Sequence, residues 1–143
     1  MRGNVLTLCF ILFSFYGVAQ NDPINGTFQV NVQKSLASMD AVMKTKYDSL
    51  PANVKMRAMT SMEDRKFVFQ MNGNVEICWG TAANVTQVNG TWTLLGSEEI
   101  RLVLSVAGTQ REYSIRERSD HHLLLESQHS RALFSMLYLE RLD

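Results

Sequence analysis

Phe67-Val68-Phe69-Gln70-Met71-Asn72-Gly73-Asn74-Val75-Glu76-Ile77-Cys78-Trp79 reads as two strands and the turn that joins them. Phe67, Phe69 and Met71 fall on one face of a period-two pattern, and Val75, Ile77 and Trp79 begin the return strand. Asn72-Gly73 between them is a hairpin signal, because both central positions of a type I′ turn need positive φ. The pattern then repeats towards the C-terminus. Val85 to Val88 reads as a short strand, Asn89-Gly90 as a second turn, and Thr91-Trp92-Thr93-Leu94 alternates again. Ile100, Leu102, Leu104 and Val106 form the clearest strand, with Arg101 and Ser105 facing away. Gly108-Thr109 turns into Glu112-Tyr113-Ser114-Ile115-Arg116, and Ser119-Asp120 turns into Leu123 to Glu126. Ala132 to Leu142 fits either period. A strand is expected there, since a sheet must close or pair its edges.

Towards the N-terminus, Ile24 to Val32 also alternates and gives a first strand. Between it and Arg65 the period changes. Val32, Leu36, Met39, Met43, Tyr47 and Leu50 make one helical stripe that Pro51 ends. Ser49 is placed to cap a second helix whose apolar face is Val54, Ala58, Met59 and Met62. The expected architecture is mainly β (α+β). It is an antiparallel up-and-down barrel or half-barrel of about eight strands, with a two-helix insertion at 33–62 after the first strand. The inward face of the first strands carries Phe67, Phe69, Met71, Trp79 and Trp92. Leu102, Leu104, Tyr113 and Ile115 continue it, and these nine residues are the expected lining of any ligand cavity.

Several motifs resemble the lipocalin-like domains of small exported bacterial proteins: Gly26-Thr27-Phe28 at the first strand, the helical insertion, Phe67 to Asn74, and Gly90-Thr91-Trp92. The resemblance spans most of residues 24–143. It implies an up-and-down barrel or half-barrel and no defined reaction. Phe28 stands where that family usually has tryptophan, and the insertion is long and rich in methionine, placed to fill or cap the cavity.

Residues 1–19 read as a cleaved signal peptide: Arg2, an apolar run from Val5 to Phe15, and small residues at Gly17 and Ala19. That run is shorter than the roughly 20 apolar residues a membrane span needs. Residues 20–143 are then one secreted or periplasmic domain, with Cys78 its lone cysteine and no internal disulfide. The whole chain has 14 basic and 14 acidic residues and no basic stripe, which argues against nucleic acid as a partner.

Chemistry-bearing clusters are sparse. Met56, Met59 and Met62 have soft thioethers that suit Cu(I), but their spacing keeps them on one broad helical face and reads as packing. His121 and His122 are adjacent at a strand entrance and point to opposite faces, so only one of them can join His129. No Ser–His–Asp order, phosphate loop or HExxH is present, so no catalytic, cofactor or metal residue is assigned. The leading expectation is a non-enzymatic module that takes a small hydrophobic ligand in the barrel. The alternative is a structural or interaction component of the cell envelope whose barrel is filled by its own side chains.

Overall fold

The computed structural model describes residues 24–143 apart from 82, 97 and the side chain of Thr81. The expected signal segment 1–19 lies outside the described residues. The strands are β1 (Gly26–Val30), β2 (Lys66–Phe69), β3 (Asn74–Thr81), β4 (Asn84–Leu95), β5 (Arg101–Val106), β6 (Thr109–Arg118), β7 (His122–Ser127) and β8 (Met136–Arg141). Each pairs antiparallel with the next, and β8 returns to β1 through Phe28↔Arg141, Gln29↔Glu140 and Val30↔Leu139. The result is a closed eight-stranded barrel rather than a half-barrel. Closure leaves no unpaired edge. The C-terminal segment is a strand, as expected, but it is shorter than the apolar run and begins only at Met136.

Several sequence expectations need correction. The hairpin after β2 is not type I′. Gly73 N–H donates to Gln70 O at 3.0 Å. Met71 and Asn72 are therefore the central residues, and positive φ falls on Gly73 (+87°) alone. Asn89-Gly90 is not a turn at all, because β4 runs unbroken from Asn84 to Leu95. Gly90 is required there for close approach: a Cβ would sit 2.3 Å from the Ser105 carbonyl oxygen and 2.6 Å from Val106 Cγ2.

The insertion holds three helices, not two: α1 (Val32–Ala37), α2 (Ala41–Asp48) and α3 (Ala52–Glu63). The long stripe breaks at Asp40, whose carboxylate accepts from Met43 N at 2.8 Å and starts a new helix. Ser49 ends α2 instead of capping α3; its hydroxyl donates to Lys46 O. Asn31 caps α1, and the buried Ser35 pins that helix to β8. Its Oγ donates to Asn31 O at 2.7 Å and accepts from Tyr138 N at 2.8 Å. Met59 and Met62 pack against the core, whereas Met56 is 65 % exposed. A three-residue step falls short of a helical turn by about 60° each time, so the three methionines do not share one face.

The barrel has two unlike ends. One carries the 70–73, 96–100 and 119–121 connections, and its interior is filled by buried side chains. Phe69 lies edge-on to Phe28 (5.8 Å between centroids) and to Trp92 (6.1 Å). Leu102 is fully buried with them, and Ile24, just before β1, joins the same core. The other end carries the helical insertion and the β3–β4, β5–β6 and β7–β8 connections. There the helices cover the opening only in part.

Candidate functional site

At this second end the barrel interior opens into a cleft of about 300 Å3. Its floor is Phe67, Ile77, Leu104 and Leu137, supplied by the inward alternation of β2, β3, β5 and β8. Trp79, Val88 and Val106 form the wall near the two hairpin tips, and Met62, from the last turn of α3, overhangs it. The polar groups that converge on this apolar space are Arg65, Thr109, Arg111 and Tyr113.

Arg65 lies between α3 and β2, with its guanidinium 5.0 Å from the centre of the Trp79 ring. Burial is the main force lowering its pKa; Tyr113 opposes that shift and the like charge of Arg111 adds to it. The side chain stays cationic. Its Nε is buried and has no hydrogen-bond partner among the described residues. Tyr113 is buried and feels the charge of both arginines. Burial pushes its phenol above the ordinary range, and Arg111 and Arg65 pull against that push.

Of the nine residues expected to line a cavity, Phe67, Trp79, Leu104 and Tyr113 do so. Phe69, Trp92 and Leu102 are buried in the core of the other half instead and do not line this cleft. Ile115 is half-buried against that core, beside an irregularity in the β6–β7 register. Met71 is misplaced: it sits at a turn centre and is 66 % exposed, because the strand ends at Phe69. Arg65 and Arg111 were missed because a search for apolar faces passes over charge. The signal was present all the same, since Arg111 lies two residues before Tyr113 and shares its face.

The remaining candidates lie elsewhere. Cys78 is half-buried on the outer barrel face, and its thiol donates to Glu76 Oε1 at 3.2 Å. Burial first and Glu76 second raise its pKa, which disfavours the thiolate. His122 bridges Ser119 Oγ (2.8 Å) and Glu117 Oε2 (3.2 Å) at the β6–β7 turn. That hydroxyl already accepts from the backbone N–H groups of His121 and His122, which marks it as a turn-stabilising group. His129 lies beyond the other end of β7, so the histidines do not assemble. Among the described residues no group of three or more His, Cys, Asp or Glu is arranged to hold a metal, and no helix is long and apolar enough to cross a membrane.

The fold and cleft define a closed antiparallel barrel with one sealed and one open end. No protein-family model, curated protein or solved structure matches this chain.

Proposed function

We propose that this protein is an exported, lipocalin-like binding module that takes a small, mainly apolar molecule into the open end of its barrel and performs no chemistry on it. The observation that carries the reading is the cleft of about 300 Å3 with an apolar floor and a few convergent polar groups. Ligand pockets begin at roughly that size and have that composition. The sealed half limits the ligand to the mouth, so a short chain or a single ring system suits it better than a long lipid. That same sealed half favours the competing reading, a barrel filled by its own side chains that serves as a structural or interaction component of the cell envelope.

A neutral apolar fluorophore, N-phenyl-1-naphthylamine, separates the two. In a Trp92→Phe variant, Trp79 is the only tryptophan left of the chain's two. Saturable binding should shift Trp79 emission and should weaken in Trp79→Ala. If the fluorophore finds no saturable site and Trp79 emission stays constant, the binding reading fails and the self-filled barrel stands.

A further inference from the structure

Resting on that reading of the mouth, we infer that the ligand is an anionic amphiphile, its tail on the apolar floor and an oxyanion head group, such as a carboxylate, held by Arg65 and Arg111. The cleft brings these two guanidiniums to one rim, and no Asp or Glu lines it. Among the described residues neither arginine has an ion-pair partner. Arg101, Arg116 and Arg141, by contrast, each have a carboxylate, at 2.6 Å from Glu112, 3.6 Å from Glu99 and 3.4 Å from Asp143 respectively.

Bringing like charges together without a counter-ion is unfavourable, and more so where one of them is partly desolvated. Arg65 is in that position. Its face is stacked on Trp79, which fixes the fork, and its buried Nε is an unspent donor. A planar guanidinium with free N–H groups matches a carboxylate through paired hydrogen bonds. Trp79 then has two roles. Its ring contacts the Arg65 guanidinium, and its side chain lines the apolar space that the tail would fill. The Tyr113 hydroxyl, which feels the charge of both arginines, is a third donor for the head group.

The test compares decanoic acid with 1-decanol, which has the same chain and a neutral head. Each is titrated against the protein at neutral pH by displacement of N-phenyl-1-naphthylamine. Decanoate should bind about ten- to a hundredfold more tightly, the range for hydrogen bonds to a charged group. The preference should shrink as salt rises. Arg111→Gln should remove most of it. Arg111 is exposed on its strand, so this variant should fold even if Arg65→Gln does not. Equal binding of the two probes would overturn the anionic head group and leave the apolar mouth intact. A decanoate preference that survives both substitutions would place the head group elsewhere and also overturn the inference. If neither probe displaces the fluorophore, the inference falls together with the reading beneath it.

Discussion

Trp92 is held by shape and by chemistry together. Its ring is 8 % exposed and edge-on to Phe69, and its indole N–H donates to the Gln70 carbonyl at 2.9 Å. That bond ties β4 to the β2–β3 turn. Trp92→Ala should cost about 3–5 kcal/mol, the range for emptying an aromatic core site. The Gln70 carbonyl keeps its bond from Gly73 N–H, so the loss is mainly one of packing. A fall in the urea midpoint with an unchanged slope would show this; a wild-type midpoint would refute it. Gly90 makes the complementary point. Gly90→Ala forces a Cβ into the Ser105 carbonyl, a backbone atom with no room to retreat. The expected cost is about 1–3 kcal/mol, as for overpacking a tight site, measured in the same unfolding assay. Asn89-Gly90 misled the sequence reading for this reason. A glycine needed for close approach and a glycine needed for positive φ look the same in one dimension, and only the neighbouring strand distinguishes them.

Among the elements, strands were legible and helix boundaries were not. Period-two burial is clean in β2 and around Val75 and Ile77 of β3, whereas β5 and β7 also bury Val103 and Leu124, which lie outside the core cluster that their neighbours join. The outer face still has order, with Arg101 paired to Glu112 and Arg116 to Glu126 across neighbouring strands. These pairs are half-exposed and contribute little each. The helical stripe misled for the opposite reason. Val32, Leu36, Met39 and Tyr47 all reach the core, so the apolar period carries straight through Asp40. What breaks the helix is the competition of the Asp40 carboxylate for Met43 N–H. Asp40→Ala should therefore destabilise by about 1 kcal/mol. Its thermal midpoint should drop, and the far-ultraviolet helical signal should fall or redistribute. An unchanged midpoint would mean that α2 is held by the contact of Tyr47 with Phe134 (5.6 Å) rather than by its cap.

Glu140 works at the same scale. It accepts from Asn31 Nδ2 at 3.1 Å and from Lys34, and so clamps α1 onto β8 next to the barrel seam. The hydrogen bond from Lys34, then that from Asn31, hold its carboxyl below the ordinary glutamate range. A depressed folded-state pKa gives stability that is present above the unfolded pKa and is lost as pH falls through the folded one. The clamp should thus loosen only in acid, below the usual glutamate range. Glu140→Gln should flatten that part of the stability profile, a small effect given the exposure of the pair.

The two ends of the barrel differ in structure, and that difference is where the sequence was least informative. Eight of the nine residues named from alternation do lie on barrel strands, but which half of the barrel each occupies depends on strand stagger and on where the helices sit. Both are set by pairings as distant as Phe28 with Arg141. The sealed half should carry stability and the open half binding, and the two tryptophans test this directly. Trp79 is half-buried at the cleft wall, so its removal enlarges an open space instead of creating a sealed void. Trp79→Ala should cost less than about 2 kcal/mol, since only part of its area is withdrawn from water, the loss including its contact with the Arg65 guanidinium. The ligand response should reverse the order. A bound molecule at a hundredfold its Kd stabilises by about 2.7 kcal/mol. That increment should appear in wild type with saturating N-phenyl-1-naphthylamine, persist in Trp92→Ala on its lower baseline, and shrink in Trp79→Ala as binding there weakens. Denaturant unfolding of the three proteins with and without the fluorophore gives all six values. If Trp92→Ala loses the increment while Trp79→Ala keeps it, the ligand enters through the sealed end and the two halves have been assigned the wrong way round.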